Sequence, residues 1–477
     1  MDGWYVDPWS ATRSRGWPGL AGDGMAGVSF EAHPFLDPGL ASSNPGLLRH
    51  LYTWYLRVRE NPKSYNVFLN KILHPVEELR PLEANRTAAA YYLNEAVGYL
   101  GELLLMVPPE VRARVTPRPE VMGCPDILEL MTMIFGSPDR RTSYEAQRKL
   151  YLSKLFFDVD HNWEVQRGGE HREHFEAVLE REFFSHAVDR RVVDICYSLR
   201  PDGESIEYTV GRLDPGQECW TFDLREVELM RGGQPVRFHV YFYACRFKRE
   251  VIPFQYARGA DHYQVAPTEI WPGLTKRRSA SIVSKMLRKG ESDPRWIEDL
   301  IGTMFIVESL SEVENLKEFL FDLFGGVFRI RNAVDTLNRP KDRALLNAWS
   351  GQGYEVYKAE VDLLYNSERY RFPLPYFFTV ELQLYTLESY LRTIHSKHYA
   401  NHQALKRRQF LQGLCPYLFP AEIYGQEVVD ALANHGGTMG STDGKGMPGG
   451  VLGPIADGMT PHGGGGGPAA DGGPPAA

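Results

Sequence analysis

The chain has 477 residues, of which 43% are hydrophobic and 24% charged, and its formal net charge is −8. This length is too great for one ordinary core and predicts two or three globular domains. The negative net charge argues against a protein that coats nucleic acid non-specifically, although it leaves room for a local basic site.

The cysteines and the first residues favour the cytoplasm. Five cysteines are scattered through the chain without a C-x-x-C pair, which suits a reducing compartment better than a disulfide framework. The start, Met1-Asp2-Gly3-Trp4, lacks the basic segment and apolar stretch of a signal peptide, and no apolar run is long enough to span a bilayer. We therefore expect a cytoplasmic protein that has no membrane partner.

The N-terminal part is predicted to be helical after a loose start. Residues 1–43 are rich in Gly, Pro, Trp and Ser and are interpreted as a flexible arm. Apolar residues at three- and four-residue spacing then predict a helical domain over residues 44–188. Near its end, Asp158-Val159-Asp160-His161 follows a predicted helix, and we interpret these acids as a solvated loop rather than a metal site.

A different pattern follows the helical domain. β-Branched and aromatic segments separated by Asp-Gly, Pro-Gly and Gly-Gly predict a small antiparallel β region over residues 189–250. Its Arg246 and Lys248 would suit a ligand, but exposed strands commonly carry such charges, and we favour the interpretation as surface charges. At the other end of the chain, residues 431–477 form a Gly- and Pro-rich tail that is predicted to be disordered.

Residues 251–430 carry most of the candidate chemistry. A cationic cluster that includes Lys276, Arg277 and Lys285 leads into a predicted helix, and such a cluster suits a triphosphate. A solvated basic face would have the same pattern. The apolar run over residues 297–307 predicts a buried strand with Asp299 at its entry, where a carboxylate is well placed to bind Mg²⁺.

The next two elements are a strand and a helix. Alternation over residues 377–386 predicts a strand with Glu381 and Gln383 on one face, which indicates a pocket, although an ordinary half-exposed strand has the same pattern. A helix from Leu387 to about Leu411 would then place three histidines, at 395, 398 and 402, on one face. Without an H-E-x-x-H pattern, we favour nucleotide-facing or surface histidines over a metal site.

Together these segments resemble the synthetase domain of the RelA/SpoT family, whose members move the β,γ-diphosphate of ATP to the ribose 3′-hydroxyl of GDP or GTP. The resemblance extends over about 140 residues, and five segments occur in the order of the family. They are Ser281-Ile282-Val283-Ser284-Lys285-Met286, Asp299-Leu300-Ile301-Gly302, Asp335-Thr336-Leu337-Asn338-Arg339-Pro340-Lys341 with Gly353-Tyr354, Glu381-Leu382-Gln383-Leu384-Tyr385-Thr386, and His402-Gln403-Ala404-Leu405-Lys406.

The resemblance implies a fold and a set of roles. The expected class is α+β: a helical N-terminal region, a small antiparallel β region, then a mixed β-sheet flanked by helices, similar to nucleotidyltransferases. Mg²⁺ is the implied cofactor, and ATP and a guanine nucleotide are the implied partners. The implied residues are Asp299 and Glu381 for catalysis and the metal, Lys276, Arg277, Ser281, Lys285 and Lys341 for ATP phosphates, and Tyr354, Gln383, His402 and Lys406 for the acceptor.

The sequence departs from the family at several positions. Met304 and Tyr385 stand where the family has arginine, Lys358 stands where it has histidine, and residues 342–352 form an insertion. The main interpretation is a pyrophosphokinase that acts on a guanine nucleotide. A toxin-like relative that uses an adenine nucleotide or the 3′ end of tRNA is an alternative, as is a catalytically degenerate nucleotide-sensing or interaction protein. A homo-oligomer is compatible with each of them.

Overall fold

The computed structural model describes residues 45–73, 79–249, 279–291, 293–297, 299–326, 329–339, 353–365 and 375–437. For the helical residues 45–49, 296, 402–404, 406 and 435–437 it describes the backbone only. The predicted arm over residues 1–43 lies outside the described residues. The last described helix ends at Gly437, past the predicted start of the tail.

The helical N-terminal region is confirmed. Asp126, Asp139 and Asn162 each accept hydrogen bonds from backbone N–H groups at the start of a helix, which explains where three of the helices begin. The helices are α1 (Pro45–Glu60), α2 (Ser64–Leu73), α3 (Leu82–Met106), α4 (Pro109–Val115), α5 (Pro119–Gly123), α6 (Ile127–Gly136), α7 (Arg140–His161) and α8 (Trp163–Glu182). Within the described ranges, no helix is long and apolar enough to cross a membrane.

The predicted antiparallel strands are also confirmed, and they continue directly into the predicted mixed sheet. The strands are β1 (Ala187–Leu199), β2 (Ile206–Val210), β3 (Glu218–Arg231), β4 (Gln234–Phe247), β5 (Ile301–Val307), β6 (Ile330–Asp335), β7 (Tyr357–Tyr365) and β8 (Tyr376–Thr386). They form one eight-stranded sheet in the order β2-β1-β3-β4-β5-β8-β7-β6. The pair β5–β8 is parallel and the other pairs are antiparallel, so the class is α+β as expected.

The two faces of the sheet differ along β8. Val380, Leu382 and Leu384 point to the main core, where helices cover the sheet. Glu381 and Gln383 alternate with them and point to the opposite face. The alternation predicted for this strand is therefore confirmed.

The remaining helices cover both faces. They are α9 (Ala280–Lys289), α10 (Leu310–Leu323), α11 (Leu387–Ile394), α12 (His402–Gly413), α13 (Cys415–Leu418), α14 (Ala421–Tyr424) and α15 (Gln426–Gly437). The last helices return to α7: the hydroxyl of Tyr144 donates to the carbonyl oxygen of Tyr417, and the Tyr424 hydroxyl donates to Glu145 Oε1 at 2.9 Å. Helix α7 of the helical region thus packs against the last helices that the structure describes.

One predicted helix is wrong in its continuity. The helix expected from Leu387 to about Leu411 is interrupted by residues 395–401, so His395 and His398 lie in a loop and do not share a helix face with His402. The loop contacts the antiparallel strands, because the Ser396 hydroxyl donates to Glu218 Oε1 at 2.6 Å. These tertiary contacts outweigh the local helical pattern of the sequence.

Candidate active site

Asp299 lies just before β5 at the entry to the sheet, as predicted. Its side chain is 9% exposed, and one oxygen, Oδ2, contacts the ammonium groups of both Lys248 and Lys285. The other oxygen, Oδ1, is buried and has no hydrogen-bond partner among the described residues. A buried carboxylate with one oxygen open suits a hard cation such as Mg²⁺, which prefers oxygen ligands.

Lys285 reaches Asp299 from helix α9. The predicted apolar side of this helix is confirmed, since Ile282, Val283, Met286 and Leu287 are buried. Ser281 in the first turn is also buried, and its hydroxyl lies 3.5 Å from the carbonyl oxygen of Lys248. The helix ends at Gly290, whose φ of 72° is a left-handed conformation that favours glycine. Helix α9 therefore presents the ammonium group of Lys285 to Asp299, and it buries its apolar side.

Glu381 occupies the middle of the polar face of β8. It lies opposite Gly302 of β5 on one side and Glu360 of β7 on the other. Its carboxylate contacts the ammonium group of Lys358 and accepts a hydrogen bond from Gln383 Nε2 at 2.5 Å. Gly302, which has no side chain, is therefore the direct neighbour of Glu381 on β5.

The carboxylates of Asp299 and Glu381 both lie near Lys248 and Lys285. Burial raises the pKa of Glu381, but the nearby ammonium groups of Lys358, Lys285 and Lys248 outweigh burial and hold this pKa at about 2. Two of these lysines are the ones that contact Asp299. Glu381 is therefore ionised at neutral pH, and it shares a pair of cations with Asp299.

A line of hydrogen bonds extends from Glu381 toward the predicted acceptor residues. The Tyr385 hydroxyl donates to Gln383 Oε1 at 3.3 Å, and the hydroxyls of Tyr385 and Tyr354 are 2.7 Å apart. Burial raises the pKa of the Tyr385 hydroxyl well above its ordinary value, so it stays protonated. Tyr354 thus lies near the site as predicted, with its hydroxyl engaged by Tyr385.

Two positions near the site that the resemblance would give to arginine carry uncharged side chains in this chain. Met304 and Tyr385 are both buried, and they pack in one cluster with Phe242, Ile306 and Tyr390. Helix α11 contributes Tyr390 to this cluster. The polar site therefore ends where this cluster begins.

Two site residues were missed or misread from the sequence. Lys248, interpreted as a surface charge, has a side chain that is only 11% exposed and that contacts Asp299. The sequence held no local signal for this contact, because Lys248 follows the last residue of β4 and its partner Asp299 lies about 50 residues further along the chain. Lys358, noted only as a departure from the family, is the direct partner of Glu381.

Glu360 adds a further buried acid beside Glu381. It accepts a hydrogen bond from Asn332 Nδ2 at 2.8 Å. Asn332 lies in a bulge of β6 with φ of 52°, a left-handed conformation that asparagine tolerates better than most residues. This bulge aims the amide of Asn332 into the site.

Other predicted residues are described in part or not at all. Lys276, Arg277 and Lys341 lie outside the described residues, so their roles stay predictions. His402 and Lys406 lie in α12, but their side chains are not described. The structure thus brings together Asp299, Glu381, Lys285, Ser281, Gln383 and Tyr354.

The loop before α12 is held by the antiparallel strands. Glu218 of β3 lies 3.2 Å from His395 Nδ1 and accepts from the Ser396 hydroxyl. His398 Nε2 lies 3.1 Å from the carbonyl oxygen of Glu204. The close packing of His398 and Tyr399 leaves no room for a side chain at position 353, because a Cβ there would lie 2.5 Å from the Tyr399 hydroxyl. The loop and the Gly353-Tyr354 turn are therefore placed together.

A separate His and Glu cluster lies at the opposite end of β5. His239 Nδ1 is 2.8 Å from Glu312 Oε1 and 3.2 Å from Glu308 Oε2. Glu312 also accepts hydrogen bonds from the backbone N–H groups of His239 and Glu308. These contacts fasten the start of α10 to β4.

Helix α10 is capped by Ser309. In the sequence, Ser311 and Glu314 have the spacing of a capping box, which would start the helix two residues later.

Comparison with known proteins gives matches among solved structures only. No protein-family model matches the chain, and no curated protein matches it. The chain is similar to small alarmone synthetase 1 from Bacillus subtilis bound to its product pppGpp, with 17% identity, 34% of this chain and 74% of that chain covered, and a TM-score of 0.19. It is also similar to a GTP pyrophosphokinase family protein from Streptococcus pneumoniae, with 17% identity, 42% of this chain and 74% of that chain covered, and a TM-score of 0.21. Alarmone synthetases are therefore among the structures to which part of this chain is similar.

Proposed function

We propose that this protein is an ATP-dependent pyrophosphokinase of the RelA/SpoT type, which transfers diphosphate from ATP to the 3′-hydroxyl of a guanine nucleotide. The observation that carries the proposal is the pair of buried carboxylates, Asp299 at the entry of β5 and Glu381 on the neighbouring parallel strand β8, which lie near the same ammonium groups of Lys248 and Lys285. Acids and cations gathered in this way suit the binding of a metal–triphosphate complex.

The lysines would bind the phosphates of ATP. In the structure described above, the ammonium groups of Lys248 and Lys285 are paired with Asp299. Phosphate oxygens offer the same ammonium groups charge-assisted hydrogen bonds, so ATP can replace Asp299 as their partner, and Mg²⁺ would then offset the charge of Asp299. Stabilisation of phosphate charge is usually the largest part of catalysis in phosphoryl transfer.

Mg²⁺ fits the two carboxylates, and when bound it would offset the negative charge of the ATP phosphates. Asp299 Oδ1 would serve as one ligand, since it is buried without a hydrogen-bond partner among the described residues. Glu381 would serve as the second, since its low pKa keeps it ionised. Proton transfer and the binding of the acceptor would be carried out by side chains of the protein.

Glu381 would also receive the proton of the acceptor. The 3′-oxygen forms a bond to the β-phosphorus of ATP, the bond from that phosphorus to the α,β-bridging oxygen breaks, and AMP leaves. The hydroxyl proton passes to the carboxylate of Glu381. Tyr354 would lie against the acceptor base, and the resemblance at Gly353-Tyr354 supports guanine as that base.

The test is a transfer assay with purified full-length protein. γ-Labelled ATP and Mg²⁺ are incubated separately with GDP, GTP, ADP, ATP and deacylated tRNA, and the labelled products are separated. We expect a labelled guanosine product that Glu381→Gln reduces by at least about 10³-fold, since its carboxylate has two roles. Glu207→Gln is the matched control, because Glu207 is exposed on β2.

Each other outcome would correct the proposal in a defined way. Product with an adenine nucleotide or tRNA alone would keep the chemistry and replace the acceptor. Nucleotide binding without product would overturn the proposal in favour of a nucleotide sensor. A product that Glu381→Gln leaves at the wild-type level would show that the chemistry occurs elsewhere.

A further inference from the structure

Asp160 lies in the last turn of α7, inside the segment interpreted from the sequence as a solvated loop. That interpretation is wrong, because α7 continues to His161 and its end is marked by Asn162, which caps α8. The side chain of Asp160 is 17% exposed and makes contacts outside its own helix. Its neighbour Asp158 pairs instead with Lys154 one turn earlier.

The carboxylate of Asp160 has three partners from three parts of the chain. Oδ1 accepts a hydrogen bond from the Ser279 hydroxyl at 2.6 Å and lies 3.1 Å from Nη2 of Arg249. Oδ2 accepts from the Tyr92 hydroxyl at 3.3 Å. One side chain of the helical region therefore joins α3, the end of β4 and the start of α9.

Two of these partners flank the phosphate-binding lysines. Arg249 directly follows Lys248, and Ser279 directly precedes α9, which carries Lys285. Both lysines contact Asp299. Asp160 consequently holds together the two segments that deliver the ammonium groups to the site.

Helix α9 is anchored to the helical region at a second point. The hydroxyl of Tyr99, which is fully buried in α3, lies 2.7 Å from the hydroxyl of Ser284. Ser284 is the neighbour of Lys285. Asp299, in contrast, belongs to the sheet at the entry of β5. The contact between Lys285 and Asp299 therefore spans the boundary between the helical region and the sheet.

We propose that Asp160 is a positioning residue for ATP binding: it ties the end of β4 to the start of α9, so that Lys248 and Lys285 meet at Asp299. Without this tie, each lysine would still have its charge, but the two would no longer converge on one point. This inference rests on the proposed function for the identity of the ligand. It also gives the helical N-terminal region a role in the site.

The test compares Asp160→Asn with Asp158→Asn. The two changes remove the same charge from the same helix; among the described contacts, Asp160 joins Arg249 and Ser279, whereas Asp158 joins Lys154. Binding of a non-hydrolysable ATP analogue with Mg²⁺ is measured by calorimetry, and hydrogen exchange is measured over residues 280–289. We expect Asp160→Asn to weaken analogue binding about tenfold and to speed exchange in α9, because a charge-assisted contact is lost. Asp158→Asn should match the wild type.

Steady-state kinetics adds a second readout. In Asp160→Asn, the KM for ATP should rise about tenfold while the KM for the acceptor stays within about twofold of the wild type. Asp160→Glu should recover part of the affinity, because it restores the charge. A general loss of structure would instead change both KM values together and would not be rescued.

The outcomes that overturn the inference are specific. If Asp160→Asn and Asp158→Asn behave alike in analogue binding and in exchange, Asp160 has no positioning role. If Asp160→Asn does not fold, Ser279→Ala removes one of its hydrogen bonds and should give the same effects at smaller size; wild-type behaviour of Ser279→Ala would then overturn the inference. A wild-type protein that forms no product contradicts the proposed function, while analogue binding and exchange still decide the role of Asp160.

Discussion

The polar face of the sheet has two halves with different chemistry. In one half, Glu381 and Asp299 are buried next to Lys358, Lys248 and Lys285. In the other half, the same strands carry an apolar cluster, and the family's arginine positions are filled by Met304 and Tyr385. In the charged half, Asp299 is paired with Lys248 and Lys285, and Glu381 is paired with Lys358.

This difference shows why uncharged residues suit the second half of the face. A buried guanidinium needs an acid or a phosphate beside it, since an unpaired buried charge is costly. With Tyr390 of α11 packed against Met304 and Tyr385, this half of the face needs no ligand to be stable. The catalytic cations would then come from Lys248, Lys285 and Lys358 instead.

The largest effect is expected in the charged half. Asp299→Asn removes the partner of Lys248 and Lys285 and one of the two carboxylates that suit Mg²⁺. We expect kcat/KM to fall by about 10³-fold, which corresponds to about 4 kcal/mol of transition-state stabilisation. The measurement is steady-state transfer from ATP, with Asp214→Asn, an exposed-loop change, as control. Activity within about tenfold of the wild type would separate Asp299 from the chemistry.

The apolar half gives the converse test. Met304→Arg places the family's residue in a cluster whose packed members are apolar, and we expect a loss of about 3–5 kcal/mol in the free energy of unfolding. Met304→Leu should cost less than about 1.5 kcal/mol, because volume and polarity are nearly kept. Urea denaturation measures both. If Met304→Arg is as stable as the wild type and more active, this half belongs to the phosphate site and the comparison fails.

Lys358 tests what keeps Glu381 ionised. Burial raises the pKa of Glu381, while Lys358 is the largest of the three opposing charges that hold it at about 2. A carboxyl with a lowered pKa contributes stability above its unfolded value, near 4.5, and loses this contribution as the pH falls toward 2. Lys358→Met should therefore raise the pKa of Glu381 and move the acidic limb of the activity profile to higher pH.

The measurement for Lys358 is kcat/KM from about pH 5 to about pH 8. Wild-type protein should show no acidic limb from Glu381 in this range, and Lys358→Arg should behave in the same way because the charge is kept. Tyr354, Glu360, Lys285 and Lys248 also act on this pair, so the shift in Lys358→Met is partial. Identical profiles for Lys358→Met and Lys358→Arg would remove Lys358 from the control of Glu381.

Local patterns in the sequence predicted much of the fold and part of the site. The apolar side of α9, the alternation of β8 and the position of Asp299 at a strand entry were all readable, because each depends on spacing within one element. The pairing of Lys248 with Asp299 was not readable, because it joins segments that are distant in the chain. The same holds for Asp160, whose partners Arg249 and Ser279 come from other elements.

The error in the helix predicted from Leu387 to about Leu411 has a physical cause. The helix expected through His395 and His398 is broken because Glu218 and the carbonyl of Glu204 bind that segment from the antiparallel strands. Local helix propensity is weak compared with such tertiary contacts. Predictions for Lys276, Arg277 and Lys341 stay predictions, since these residues lie outside the described ranges.

The smallest effect is expected where the two halves meet. Tyr385 belongs to the apolar cluster, yet its hydroxyl joins Tyr354 to Gln383 and so to Glu381. Tyr385→Phe keeps the ring and removes this link, so we expect a loss of about 1 kcal/mol, seen as a rise of a few-fold in the KM for the acceptor. Tyr354→Phe should have a similar effect, and Tyr208→Phe on the exposed face of β2 should have none.

A double-mutant cycle separates a link from two independent contacts. If the hydroxyls of Tyr354 and Tyr385 act through each other, the double variant should lose little more than either single variant, with a coupling energy of about 1 kcal/mol. Additive losses would mean that each hydroxyl meets the acceptor on its own. In that case the position of Tyr354 would not affect Glu381 through Tyr385. The charged half and the apolar half would then act independently of each other.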